Sequence, residues 1–163
     1  MKVLVISDTH DNLFAIKKLL KQIENEKITY IFHAGDIIAP FTLKLFNGYK
    51  LIGVYGNNDG ERNLLRETAK SLGFKLEKDF ENIELNGRKI ALIHGTEKQL
   101  VEALIKSQLY DVVISGHTHV VEQYIIGKTL AINPGELCGY LTNKSSYIIL
   151  DLDTLQADVR YLD

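Results

Sequence analysis

Val112-Val113-Ile114-Ser115-Gly116-His117-Thr118-His119 carries an apolar run into a glycine turn that ends in two histidines one residue apart. A short run rich in β-branched residues and bounded by glycine reads as a buried strand. Where such a strand runs out at the sheet edge, both imidazoles can be aimed at one point above it. The His-x-His pair alone is weak evidence, since alternate residues of any strand face the same way. Other stretches repeat the arrangement. Asp8-Thr9-His10 follows Val3-Leu4-Val5-Ile6, and Gly35-Asp36 follows Tyr30-Ile31-Phe32. Gly56-Asn57-Asn58-Asp59 follows Leu51-Ile52-Gly53-Val54, and His94-Gly95 follows Ile90-Ala91-Leu92-Ile93. Apolar strands that each end in metal-ligand residue types predict one site assembled from all five strand ends.

The chain has 163 residues, 45% hydrophobic and 25% charged, ordinary values for a globular protein, and a single domain over 1–163 is expected. A net charge of -2 provides no global basic field, so no extended nucleic-acid surface is expected and a polyanion must be held locally. Met1-Lys2 leads straight into a short strand, without the longer apolar segment of a secretory signal. No apolar run approaches the ~20 residues that cross a bilayer. These features predict a cytoplasmic protein with no membrane partner. Cys138, the single cysteine, forms no internal disulfide and reads as a small buried filler beside the Asn133-Pro134-Gly135 turn.

The first half alternates short strands with helical patterns, the signature of a largely parallel sheet. Asp11 is the expected cap of a helix in which Leu13, Ile16, Leu20 and Ile23 form the apolar stripe, while Lys17, Lys18 and Lys21 form a solvated face. Strand two is expected over Thr29 to His33, a short helix after Pro40, strand three over Lys50 to Tyr55, and a third helix from Gly60 to Leu72, with Gly73 just past its end. Asn86-Gly87 between apolar alternations predicts a hairpin and the start of an antiparallel region. Thr96-Glu97-Lys98-Gln99 matches a capping box opening a helix with Leu100, Val101, Leu104 and Ile105 as its stripe. The strand Val112 to Ser115 follows, then strands over Val120 to Ile126, Leu130 to Ile132, Tyr147 to Leu152 and Ala157 to Tyr161. The architecture implied is two sheets packed face to face with helices outside.

Together the strand ends supply the carboxylates Asp8 and Asp36, the imidazoles His10, His94, His117 and His119, and the amide Asn57. That is too many donors for one ion. With one carboxylate bridging, the set suits two divalent metals about 3.5 to 4 Å apart, the spacing used for phosphoryl chemistry. The imidazoles favour Mn²⁺, Fe²⁺, Co²⁺, Ni²⁺ or Zn²⁺ over Mg²⁺ or Ca²⁺, and the lack of thiolates argues against a structural zinc. Two divalent ions against two carboxylates leave the site positive, so it attracts phosphate esters. Water shared between the ions gives hydroxide at neutral pH.

Asp8-x-His10, Gly35-Asp36, Gly56-Asn57-x-Asp59, His94-Gly95 and Gly116-His117-x-His119 resemble, in order and spacing, the calcineurin-like metallophosphoesterases. The small bacterial and archaeal phosphodiesterases related to the retromer subunit VPS29 are the most similar branch, and the likeness covers nearly the whole chain. The resemblance implies a four-layer α/β/β/α sandwich of two mixed sheets. It further implies that Asp8, His10 and His119 hold one metal, that Asn57, His94 and His117 hold the other, and that Asp36 bridges them. The implied reaction is hydrolysis of small phosphodiesters by a metal-bridging hydroxide, with Mn²⁺ the expected metal and Asp36, Asn57, Asn58 and His94 the catalytic residues. The alternative is a VPS29-like interaction scaffold that retains metal binding. Apolar edges and hairpins leave room for a homo-oligomer. Many relatives carry His where this chain has Asn58; an amide does no acid catalysis, which predicts a bias towards esters with good leaving groups. His33, inside strand two, is expected to be a core or supporting histidine, and Asp59 to cap the following helix or support His10.

Overall fold

The computed structural model describes residues 1–162. Strands β1 (Lys2–Ile6), β2 (Ile28–His33) and β3 (Lys50–Gly53) are joined by helices α1 (Leu13–Gln22) and α2 (Pro40–Leu43), and a third helix, α3 (Arg62–Ser71), leads to the two-residue strand β4 (Lys75–Leu76). The hairpin β5 (Phe80–Leu85) and β6 (Arg88–Ile93) follows, then helix α4 (Lys98–Lys106) and β7 (Val112–Ile114). Strands β8 (Val121–Ile126), β9 (Thr129–Pro134), β10 (Ser146–Asp151) and β11 (Gln156–Tyr161) complete the chain.

One sheet has the order β11-β10-β1-β2-β3-β4 and the other β5-β6-β7-β9-β8. Both are mixed. β1 to β4 run parallel, with β10 antiparallel to β1. In the second sheet β6, β7 and β9 are parallel, and β5 and β8 are antiparallel edges. Strand alternation divides the core into layers. Leu4 and Ile6 of β1 pack with Ile16, Leu19, Leu43 and Leu65 beneath α1 to α3, whereas Val3 and Val5 turn the other way and meet Ile90, Leu92, Val112, Ile114 and Ile132 of the second sheet. On the outer face of that sheet Ala91, Val113 and Ala131 receive Ile105, Val101 and Leu104 of α4. The result is the expected α/β/β/α sandwich.

Several local expectations need correction. Strand three ends at Gly53, short of Tyr55, because the backbone there turns towards the site. Asn12 caps α1 by accepting a hydrogen bond from the Ala15 amide, while Asp11 accepts from Ala39 N–H and Thr42 Oγ1 at the start of α2. The capping box does not close: Glu97 takes the N-cap position of α4 with no side-chain cap, and Thr96 Oγ1 points to Asn57 Oδ1 at 3.5 Å. Leu100 stays outside the buried stripe, 54% exposed. Gly73, with φ of +73°, ends α3 as expected.

Candidate metal centre

Because β1, β2 and β3 are parallel, as are β6 and β7, their carboxyl ends emerge at the same rim of the sandwich. The loops beyond them are interlocked by main-chain hydrogen bonds. Asp8 N–H donates to Gly35 O over 3.0 Å, His10 N–H to Asp36 O over 3.1 Å, and Gly116 N–H to His94 O over 2.8 Å. Close approach dictates two glycines. A Cβ at Gly56 would lie 2.0 Å from Asp36 Oδ1, and one at Gly116 would lie 1.9 Å from Ser7 Oγ. Asp8, His10, Asp36, His117 and His119 all hold left-handed backbone, with φ between 39° and 67°, conformations that side chains other than glycine adopt at a cost.

The seven residues named from the sequence lie at this rim, with ligand atoms of Asp8, His10 and His119, and of Asp8, Asp36 and His94, each within 4.8 Å of one another. Asp36 Oδ2 lies 3.3 Å from His10 Nε2 and 3.5 Å from His94 Nε2. Asp8 Oδ1 lies 3.2 Å from His119 Nε2 and 3.8 Å from His10 Nε2. Asn57 Oδ1 is 3.0 Å from His94 Nε2, and His117 donates its main-chain N–H to Asp8 Oδ2 over 3.1 Å. The rings form two pairs: His10 and His119 with centroids 5.5 Å apart, and His94 and His117 at 5.1 Å.

The hydrogen bonds behind two of the histidines fix what their inner nitrogens can do. His94 Nδ1 is 2.7 Å from the Ala34 carbonyl, which can only accept, so Nδ1 carries a proton and Nε2 is the nitrogen turned inward. Nε2 faces Asn57 Oδ1 at 3.0 Å and Asp36 Oδ2 at 3.5 Å, so a nitrogen and two oxygens converge there. His119 repeats the pattern. Its Nδ1 is 2.6 Å from Glu136 Oε2, and its Nε2 is turned towards Asp8 Oδ1. Asp8 Oδ1 and His10 Nε2 are buried and make no hydrogen bond. The donor set therefore fits cation binding on its own chemistry.

Charge in the cage agrees. Asp36 and Asp8 beside His10 hold its imidazolium up to a pKa of about 10, outweighing burial. Burial alone would raise the Asp36 carboxyl, but His10, His94 and the two Asn58 donors hold it well below the usual carboxylate range. Asn58 donates its main-chain N–H to Asp36 Oδ1 and its Nδ2 to Asp36 Oδ2, over 2.9 and 2.8 Å. Its amide is thereby committed to the carboxylate.

Residues that the sequence reading passed over support the cage from behind. Glu136 is fully buried and also accepts from the Thr142 amide and hydroxyl, the Leu141 amide and the Cys138 thiol. Burial works to raise its carboxyl, yet His119, Thr142 and Cys138 bring it down to about 2. A carboxylate directly after Asn133-Pro134-Gly135, at the end of a strand, was the available signal. Ser7 Oγ donates to Asp8 Oδ2 over 2.5 Å. Asp59 neither caps α3, whose N-cap is Glu61, nor touches His10. Instead it accepts from the amides of Gly56, Asp36, Ile37 and Ile38, because its carboxylate sits where two loops expose unpaired N–H groups. His33 is buried, accepting from Gly35 N–H at Nδ1 with Thr9 Oγ1 at Nε2.

Comparison with known proteins places this rim in context. The family model of the calcineurin-like phosphoesterase superfamily domain matches residues 1–155. A phosphodiesterase of Methanocaldococcus jannaschii is 40% identical over 156 residues, covering 94% of each chain. The solved structure of an archaeal phosphodiesterase superposes with a TM-score of 0.95 at 38% identity, covering 99% of this chain and 100% of that one. Vps29 from Entamoeba histolytica shares the fold alone, with a TM-score of 0.74 at 19% identity and full coverage of both chains.

Proposed function

Because this chain belongs to the calcineurin-like phosphoesterase superfamily, we propose that it is a two-metal phosphodiesterase acting on small phosphodiesters. The observation that carries the reading is the position of Asp36 Oδ2 between His10 Nε2 and His94 Nε2, where one carboxylate can serve two ions. Asp8, His10 and His119 would hold the first ion, and Asn57, His94 and His117 the second. When bound, divalent ions of this kind supply a hydroxide nucleophile at neutral pH and neutralise charge developing on the phosphoryl oxygens. Mixed imidazole and carboxylate donors without thiolate favour Mn²⁺, with Fe²⁺, Co²⁺, Ni²⁺ and Zn²⁺ as alternatives.

The chain's own residues do the positioning. Glu136 and the Ala34 carbonyl keep Nδ1 of His119 and His94 protonated, so that Nε2 of each is presented inward. Asn58 fixes the orientation of the Asp36 carboxylate, which would hold both ions, through both of its oxygens. No titratable side chain stands at position 58, so the departing oxygen takes its proton from solvent or from the substrate itself. This biases the enzyme towards esters with good leaving groups. All seven expected ligand residues are present here, whereas a scaffold need not keep a full set, and this favours the catalytic reading.

Metal-stripped protein should hydrolyse bis(p-nitrophenyl) phosphate only after Mn²⁺ is restored, should prefer it to p-nitrophenyl phosphate, and should lose the activity in Asp36→Asn. Absence of turnover with Mn²⁺, Ni²⁺, Co²⁺ and Zn²⁺, alongside demonstrated binding of two ions, would overturn the proposal.

A further inference from the structure

Beside the cage stands an aromatic ring that the fold does not need. Tyr140 is 59% exposed, and its ring centroid lies 6.5 Å from that of His10. It belongs to the segment between β9 and β10, which crosses the rim next to the first ion's ligands. Exposed aromatics on loops are ordinarily free to move, but this segment is pinned. The Glu136 carboxylate accepts from the main-chain N–H groups of Leu141 and Thr142 and from Thr142 Oγ1, and the same carboxylate holds His119. Cys138 N–H donates to Asp8 O over 3.0 Å, and Asn12 Nδ2 donates to Cys138 O over 2.9 Å, which ties the segment to the β1 loop. One fully buried carboxylate therefore sets both a metal-ligand candidate and the backbone that presents Tyr140. An aromatic ring presented by a pinned backbone beside His10, with its face left to solvent, is placed to stack a planar substituent of a ligand.

The geometry points to Tyr140 as the platform for one arm of the substrate, so that the phosphodiesters taken by this site carry an aromatic group, a nucleoside base or an aryl ring, on the His10 side. This rests on the phosphoesterase reading above, because the ring is useful only if phosphorus sits at the cage. A ring centroid 6.5 Å from His10 is within the span of a substituent reaching out from a phosphate held there. Stacking on one aromatic face is sequence-tolerant, so the class recognised is planar substituents in general and not one base.

The test uses Mn²⁺-loaded protein and two non-hydrolysable probes, phenylphosphonate and methylphosphonate, with binding measured by calorimetry. The wild type should bind the phenyl probe at least about fivefold more tightly, in line with the loss on removing a single stacking residue. Tyr140→Ala should bring the two affinities within about twofold of each other without changing that for methylphosphonate, and Tyr140→Phe should keep the preference. Equal affinities in the wild type, binding of neither probe, or a preference that survives Tyr140→Ala would overturn the inference, as would its loss in Tyr140→Phe. Turnover of bis(p-nitrophenyl) phosphate, followed in parallel, tests the diesterase reading separately, since probe binding needs no catalysis.

Discussion

Protonating His33 would cost the native state a hydrogen bond. Its Nδ1 accepts from Gly35 N–H over 3.2 Å, so a proton there displaces the amide of the turn that carries Asp36. Burial pushes the imidazole pKa down to about 4. The unfolded chain titrates at ~6.5. Neutral His33 is therefore favoured in the folded state, and the stability linked to it is complete above the unfolded value and lost as pH falls through the window between the two. By linkage the loss from about pH 7.5 to about pH 5 is on the order of 2 kcal/mol. Urea midpoints of the metal-free wild type should fall more steeply over that range than those of His33→Gln; parallel slopes would show that His33 does not titrate there. Asn58 gives the second prediction at this scale. Asn58→His should leave turnover of bis(p-nitrophenyl) phosphate within about twofold but raise that of an unactivated diester by about tenfold or more, the gain available from a positioned acid. An unchanged ratio of the two rates would refute the leaving-group account. Metal-ligand residue types ending apolar strands made the seven candidate donors legible in sequence. Glu136 was hidden because its partners, His119, Leu141 and Thr142, are joined to it only by the loop's tertiary path.

At the scale of elements, the site depends on loops that cross without room for side chains. Gly116 follows β7 by two residues, and a Cβ there would also approach Asp8 Oδ2 to 2.9 Å. Gly116→Ala should fold, since both sheets remain intact, but with Ser7 and Asp8 displaced it should weaken Mn²⁺ binding by about tenfold or more, the cost of disturbing groups that orient ligands. Calorimetric titration of Mn²⁺ would reveal this, and an unaltered affinity would mean that the loops absorb the extra atom. Strands were the most readable elements because burial on both faces makes them continuous apolar runs, as in β7 and β9. Signals that rest on one or two side chains were less so. Lys75–Leu76 is too short to carry a period, and its pairing with Ile52 and Gly53 joins residues separated in sequence by the whole of α3. The Thr96 capping signature failed because its hydroxyl is turned towards Asn57 at the site. Asp11 and Asn12 exchanged roles because both are competent caps and the turn geometry, not the residue type, selects between them.

For the whole molecule, the rim concentrates unfavourable terms that the rest of the fold must offset. Asp8, Asp36 and Glu136 are buried carboxylates within one cluster, and five of the seven candidate ligands sit in left-handed backbone. Such conformations cost on the order of 1 kcal/mol or more each, and they persist only where the surroundings over-determine them. Here the surroundings are two sheets sharing a core of Val3, Val5, Ile90, Leu92, Val112 and Ile114, which hold five strand ends at one edge. Cations that bind the native rim but not the unfolded chain shift the balance by mass action. At free Mn²⁺ about 100-fold above its dissociation constant each site adds about 2.7 kcal/mol, so two filled sites should add about 5 kcal/mol. For a chain of this length that corresponds to a rise in Tm of about 10 °C or more on going from EDTA to Mn²⁺. Asp36→Asn removes the charge proposed to serve both ions, so it should retain less than about half of the rise. Thermal unfolding followed by circular dichroism decides the matter: a full rise in the variant would mean that Asp36 does not couple two ions, and no rise in the wild type would mean that the rim is not a metal centre at all.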